Sequence, residues 1–302
     1  MNKWHRPRRL WTDTRERLSR TQWPTTASTS ASPDARVAMV TVNYNTLELI
    51  AHLLFSVMRV LPKNAISEIV VVDNGSTDGS LEFLRSLHAF GLIHLIENSR
   101  YPYHGPGLNR GISYLAQRGR QPATRARLIW VLDSDAIVMA PNSLDRFIQS
   151  MAGPDVAMAG QLQPYDQPRP RLSAYAHPAA LMIDPAVVWR HRVPAFLEDG
   201  APGVIMQHSL RRRGAKITDV RAFDEGLILH LGSGTLRVLA AEERRDNRYF
   251  NWATMHQYHH FHGQENGLAF YENFLADFTR LVPTLDPRLF AATCHETERL
   301  SW

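Results

Sequence analysis

From residue 36 onward, short apolar runs alternate with segments of helical spacing, and this alternation constrains the fold more than any other feature of the chain. Val37-Ala38-Met39-Val40-Thr41-Val42 is continuously apolar apart from one threonine, the pattern of a strand buried on both faces. Residues 66–72, 92–96 and 128–132 repeat it, while residues 48–60, 80–87, 108–117 and 143–151 carry helical spacing between or after them. Fully buried strands separated by helices require crossover connections, so the expected class is α/β with a mostly parallel central sheet flanked by helices. Beyond about residue 165 the alternation weakens. Pro164, Pro168, Pro170 and Pro178 interrupt it, and short strands at 179–183, 216–220 and 227–231 are expected around a helix at 204–213 that ends at Gly214. Residues 249–281, rich in aromatics and histidine, are expected to hold one or two helices. This half reads as an irregular C-terminal lobe.

Ahead of the first strand, residues 24–35 are small, polar and bounded by prolines, as in a linker. The expected organisation is therefore a basic tail with its linker at 1–35, a ligand-binding domain at 36–162 and a second lobe at 163–302. Residues 1–30 contain seven basic side chains and two acids, an excess equal to the +5 of the whole chain. The body is thus formally neutral, which argues against a nucleic-acid partner. Trp4, Leu10, Trp11 and Leu18 are interleaved with the tail's arginines. They fit either a short helix docking on the body or a peripheral contact with anionic lipid. Cys294 is the one cysteine, so no disulfide forms within the chain. No apolar run approaches the roughly 20 residues of a membrane span, and no apolar signal core follows the basic start. A cytoplasmic setting, peripheral at the inner membrane face if the tail binds lipid, is expected.

Ligands of open parallel sheets bind at the carboxyl ends of the strands. Asn43-Tyr44-Asn45 follows the first apolar run, Asp73-Asn74-Gly75-Ser76-Thr77-Asp78-Gly79-Ser80 the second, and Asp133-Ser134-Asp135 the fourth. Two carboxylates separated by one residue can grip a hard divalent cation, Mg²⁺ or Mn²⁺, and through it the phosphates that bare carboxylates would repel. Asp-x-Asp alone is a weak signal; its place directly after a buried strand gives it weight. Asn-Gly and Asp-Gly in the second cluster are turn dipeptides, and Ser or Asp there can cap the next helix. Those roles leave Asp73 itself, a strand-end carboxylate able to accept hydrogen bonds from a base or ribose.

These clusters, with Asn98 and Leu108-Asn109-Arg110-Gly111-Ile112 between them, resemble glycosyltransferase family 2 in order and spacing over roughly residues 36–162. The resemblance implies the GT-A, Rossmann-like fold and an inverting transferase that takes a sugar from a UDP-, dTDP- or GDP-linked donor. It implies that Thr41, Asn43, Asn45, Asn98 and Asn109 lie on the donor side, that Asp73 contacts the base and Asp133 the ribose or sugar, and that Asp133 and Asp135 meet the metal. Leu229-His230-Leu231-Gly232-Ser233-Gly234 resembles a later family element, which makes His230 a third metal ligand or else a buried structural histidine. An inverting transfer also needs a base for the acceptor hydroxyl. Family members carry an acidic pair ahead of a helix ending in an arginine-rich turn and glycine. Here Glu198-Asp199 is followed by Gly200-Ala201-Pro202-Gly203 before the helix reaches Arg211-Arg212-Arg213-Gly214. Asp199 is the expected base and Glu198 the alternative, with Asp224 and Glu225 in reserve; the pair could instead simply cap the helix.

His256, His259, His260 and His262 fit no common zinc framework. With Tyr249, Trp252, Tyr258 and Phe261 they suggest an aromatic surface for an acceptor glycan, lipid-linked sugar or small molecule. Two rival readings are a non-catalytic nucleotide-sugar-binding protein and a sugar-phosphate nucleotidyltransferase. The latter lacks its glycine-rich basic loop, because Asn43-Tyr44-Asn45-Thr46 holds neither glycine nor lysine.

Overall fold

The computed structural model describes residues 36–98, 103–118, 126–164, 174–191, 193, 196, 203–232, 267–296 and 300. The tail at 1–35, Glu198, Asp199, Gly234 and the histidine- and aromatic-rich segment from Tyr249 to Phe261 lie outside the described residues.

The strands are β1 (Val37–Asn43), β2 (Ile66–Asp73), β3 (His94–Glu97), β4 (Leu128–Leu132), β5 (Ala136–Val138), β6 (Val156–Gly160), β7 (Leu162–Pro164), β8 (Ala174–Ala176), β9 (Ala180–Ile183), β10 (Lys216–Asp219) and β11 (Ile228–His230). The helices are α1 (Leu47–Val60), α2 (Ser80–Ala89), α3 (His104–Arg118), α4 (Ser143–Ser150), α5 (Pro185–Arg190), α6 (Val204–Arg212), α7 (Gly267–Leu281) and α8 (Pro287–His295). Seven strands form the central sheet in the order β10-β6-β9-β4-β1-β2-β3, parallel except for β9, which runs antiparallel to both β4 and β6. β11 pairs antiparallel with β5, and β7 with β8. The sheet continues past residue 162, since β9 and β10 complete it.

The period of two along each strand divides the continuous apolar runs between two cores. Val37, Met39, Val71, Trp130 and Leu132 face α1, α2, α4, α7 and α8, while Ala38, Val40, Val42, Val72 and Val131 face α3, α5 and α6. α1 is covered on its far side as well: Phe274 and Phe278 of α7 and Phe290 of α8 pack edge-on against His52 and Phe55. Buried Arg59 donates to Thr293 O at 2.9 Å, fastening α8 to the end of α1.

Two boundaries differ from the sequence expectation for identifiable reasons. β3 begins at His94 rather than Leu92, because Gly91, at φ 75°, lets the chain turn back and Leu92 N closes onto Leu87 O. α3 begins at His104 rather than Leu108. Pro106 falls in the first turn, where a missing N–H costs no helical bond. Gly107 and Gly111 then let α3 lie close on the sheet: a Cβ on either would sit 2.9 Å from Val42 Cγ2 or 2.7 Å from Val40 Cγ1.

Candidate functional site

The strand order reverses beside β1: the chain winds outward to β2 and β3, then returns to place β4 on the other flank. Such a reversal, here at the carboxyl ends of β1 and β4, is the place where open α/β sheets bind ligands. Asn43 and Asp73 stand side by side there in the parallel register of β1 and β2.

Around Asp73 the turn is knit together by hydrogen bonds. Its Oδ1 accepts from the backbone N–H groups of Gly75 (3.0 Å) and Ser76 (2.9 Å), and its Oδ2 from Asn43 Nδ2 (2.8 Å) and Ser76 Oγ (2.6 Å). Four bonds use the acceptor capacity of a carboxylate. Asn43 Oδ1 accepts from Thr46 Oγ1 at 2.7 Å, and that hydroxyl lies 3.3 Å from Ser134 Oγ, which joins this turn to the one after β4. Asn45, at φ 51°, accepts from Thr77 N, and Asp78 caps α1 by accepting from Leu47 N. Asn98 donates to Asn74 Oδ1 at 2.7 Å and accepts from Arg110 at 2.9 Å. Thr41, Asn43, Asp73 and Asn98 are all buried beneath the carboxyl edge of the sheet, whereas Asn45 is partly exposed. Asn109 points elsewhere: its amide is bonded to the backbone of Phe196.

The second turn has a different construction. Asp133 N bonds to Ala179 O, and Ala136 N closes on Asp133 O, so β4 turns directly into β5. β5 is held to α1 by Val138 N donating to Ser56 Oγ at 3.0 Å. β11 lies on β5 with His230 opposite Ala136, which brings His230 Nε2 to 3.3 Å from Asp135 Oδ1. One ligand atom each from Asp133, Asp135 and His230 lies within 4.8 Å of the others. Two hard carboxylate oxygens and an imidazole nitrogen at this spacing suit a divalent cation. The protein strips water from the Asp133 carboxyl and raises its pKa; His104 lowers it, the Asp135 charge raises it again and His230 lowers it. A bound divalent ion would relieve that burden on the charged form.

His104, the first residue of α3, is the contact that sequence reasoning missed. Its Nε2 lies 3.2 Å from Asp133 Oδ1, and both side chains are partly exposed. The usable signal was Pro106 two residues on, which marks the first turn of a helix that the sequence reading began only at Leu108. Of the reserve acids, Glu225 pairs with Arg146 at 2.5 Å, while Asp224 accepts from Gln161 and is approached by Arg221. A cavity of about 640 Å³ opens at the opposite end of the sheet, between Arg36, Lys63, Glu68, His94, Arg118 and His295. The carboxyl ends of α1, α2, α3 and α8 converge there, and cations at helix C-termini are what the dipoles favour.

A seven-stranded sheet of this order, with an Asp-x-Asp turn at its switch point, defines a GT-A-type transferase fold. The sequence model described as Glycosyl transferase family 2 matches residues 38–215, more than half of the chain. The chain belongs to glycosyltransferase family 2. No curated protein matches it at a significant level. Among solved structures it is similar to a mannosyltransferase from Pyrobaculum calidifontis in complex with GDP-Man and Mn²⁺ (18% identity, 94% of this chain and 86% of that chain, TM-score 0.47). It is also similar to glucosyl-3-phosphoglycerate synthase from Mycobacterium tuberculosis in complex with Mn²⁺, UDP and glucosyl-3-phosphoglycerate (16%, 63% and 71%, TM-score 0.43), and to S. aureus TarS (19%, 54% and 30%, TM-score 0.39). Among the described residues no helix is long and apolar enough to cross a membrane.

Proposed function

We propose that the protein is a metal-dependent, inverting glycosyltransferase that moves a hexosyl unit from a nucleoside-diphosphate sugar to an acceptor hydroxyl. The observation that carries this reading is the convergence of Asp133, Asp135 and His230 at the switch point of the sheet. These three residues would hold the cation, and the imidazole favours Mn²⁺ over the oxygen-demanding Mg²⁺. When bound, the cation neutralises the diphosphate as it departs. The buried network around Asp73 holds the base and ribose side of the site in shape. Asp199, or Glu198 one residue back, takes the proton of the acceptor hydroxyl while its oxygen bonds to the anomeric carbon and the bond to the diphosphate oxygen breaks. In this reading residues 36–162 hold the donor, and the residues from 163 onward bind the acceptor, which is a glycan, a lipid-linked sugar or a small molecule. The tail supplies a peripheral contact with anionic lipid on the cytoplasmic face.

A thermal-shift panel of UDP, dTDP and GDP and their sugars, with and without Mn²⁺, tests the donor reading, since a ligand that binds only the native state raises the melting point by mass action. One nucleotide should stand out, and only with metal; a panel flat throughout, or indifferent to Mn²⁺, overturns the metal assignment. Donor hydrolysis with Mn²⁺ then tests the base. Asp199→Asn should slow it by about 10²–10⁴-fold with donor affinity retained. Full activity in both Asp199→Asn and Glu198→Gln would put the base elsewhere.

A further inference from the structure

His230 comes to the metal triad from β11, far in sequence from Asp133 and Asp135, so its ring is aimed by what packs around it. Two buried rings pack there. The His177 centroid lies 5.2 Å from that of His230 with the planes at 56°, and the Phe223 centroid lies 5.9 Å away at 30°. His177 and Phe223 meet each other edge-on at 5.5 Å, so the three rings form one closed cluster. Both supporting rings are themselves held by hydrogen bonds. His177 Nδ1 accepts from Ala179 N at 3.2 Å, which ties the ring to its own turn between β8 and β9. His177 N donates to Gln161 O at 2.9 Å, and Gln161 Oε1 accepts from Phe223 N at 2.7 Å. Buried Gln161 thus carries His177 on its backbone and Phe223 on its amide. The same turn reaches the carboxylate side, where Ala179 O accepts from Asp133 N at 3.0 Å. The turn His177-Pro178-Ala179 therefore touches both flanks of the triad.

We propose that His177 is a positioning residue for the metal site: its ring, with that of Phe223, holds the His230 imidazole at the angle that turns Nε2 toward Asp135 and the cation. This rests on the metal reading made above. A ligating imidazole must aim one lone pair, and the torsion that turns the ring is broad and roughly two-fold, so the aim is set by neighbours. Two carboxylates can hold a hard cation without nitrogen. Removing the wall behind His230 should therefore leave a cation held by oxygen alone, and held less tightly.

The test uses the full chain with Mn²⁺ alone and with Mn²⁺ plus UDP, dTDP or GDP in turn. Electron paramagnetic resonance of the free ion gives the Mn²⁺ Kd, and the pulsed experiment shows whether a nitrogen nucleus is bound to the manganese. The parent should show that nitrogen modulation, and His230→Ala should lack it. His177→Ala should bind Mn²⁺ about 10–100-fold more weakly and lose most of the modulation, although His230 is still present. A residue that only fills space would lower the melting point and leave the modulation intact. His177→Phe keeps a ring against His230 and should recover most of the modulation; no recovery would overturn the role given to the ring. Phe223→Leu withdraws the other ring while keeping an apolar side chain. It should show the same loss in weaker form, and it carries the test if His177→Ala does not fold. Unchanged modulation and a Kd within about twofold of the parent's in folded His177→Ala, or in Phe223→Leu standing in for it, would overturn the proposal and leave the metal site in place. Modulation absent from a parent that does bind Mn²⁺ would remove His230 as a ligand, and with it the object that His177 is said to position. A parent that binds no Mn²⁺ with any of the nucleotides would overturn the metal reading itself.

Discussion

The turns after β2 and β4 both present an aspartate at the carboxyl edge of the sheet, yet the two carboxylates live in opposite circumstances. Asp73 is 1% exposed and accepts four hydrogen bonds, three of them from its own turn and one from Asn43. Asp133 is partly exposed, and imidazoles approach it and Asp135, from His104 at 3.2 Å and His230 at 3.3 Å. A saturated carboxylate can take a ligand only by giving up an existing bond, so Asp73 is built as a frame. A carboxylate pushed toward protonation by dehydration and a like charge gains from a cation, so the turn after β4 has the chemistry to suit one.

The sharpest way to break that contrast is to remove one member of each turn. Asp135→Ala should lower turnover by about 10³-fold and abolish Mn²⁺-dependent nucleotide binding. Its melting point should stay close to the parent's, because a like-charge neighbour of Asp133 has gone. Near-native turnover would contradict the metal reading. Asp73→Ala should do the reverse and cost stability first. Four donors lose this acceptor; Asn43 keeps its bond to Ser76 Oγ and Gly75 is exposed, so at about 1–3 kcal/mol for each of the two buried donors of Ser76 the loss in urea unfolding should be at least about 2 kcal/mol. If the variant is as stable as the parent but cannot bind nucleotide, Asp73 is a ligand contact and the contrast collapses.

His104→Ala should weaken Mn²⁺ binding by about 10–100-fold, as loss of a partner that orients a ligand does, when free Mn²⁺ is followed by electron paramagnetic resonance. His104→Gln, which keeps a donor near the same place, should recover much of it; unchanged affinity in His104→Ala would mean the contact is idle. The smallest effect lies away from both turns. Burial among Phe274 and Phe278 lowers the His52 pKa from 6.5 to about 4. The unfolded chain therefore binds a proton that the folded chain refuses. Stability should fall as pH drops below 6.5 and level off below about 4, by about 1 kcal/mol at pH 5.5. His52→Phe should remove that share of the acid slope. An unchanged slope would locate the acid sensitivity at the carboxylate turns instead.

Strand ends were legible because buried parallel strands carry uninterrupted apolar runs, and the polar residue that closes such a run has one place to go. Asp133, Asp135 and His230 could be named together only through family resemblance, since nothing in residues 228–230 announces that β11 will lie on β5. The pairs across the sheet were less visible. β6, Val-Ala-Met-Ala-Gly, is too small-sided to read as a strand, yet its five residues are all buried. Its Gly160 admits the Leu181 side chain, to which a Cβ would come within 2.8 Å. For Asn109 a motif position says where the residue is, not which of its neighbours bonds its amide, here the backbone of Phe196. Gln207 is the same case on the next helix over: it is fully buried, and its amide clasps both backbone groups of Ala176, at 2.7 and 2.8 Å.

The roof over α1 has a consequence for synthesis. Phe55 emerges early in translation, but Phe290, which covers it, is roughly 235 residues later, a delay of about 10–50 s at about 5–20 residues per second. Through most of that interval α7 and α8, which pack on the back of α1, have not yet been made. A nascent chain of this design needs provisional burial of that face until α7 and α8 are made, and a chain stopped before α8 should expose Phe55 and be more prone to aggregation and degradation.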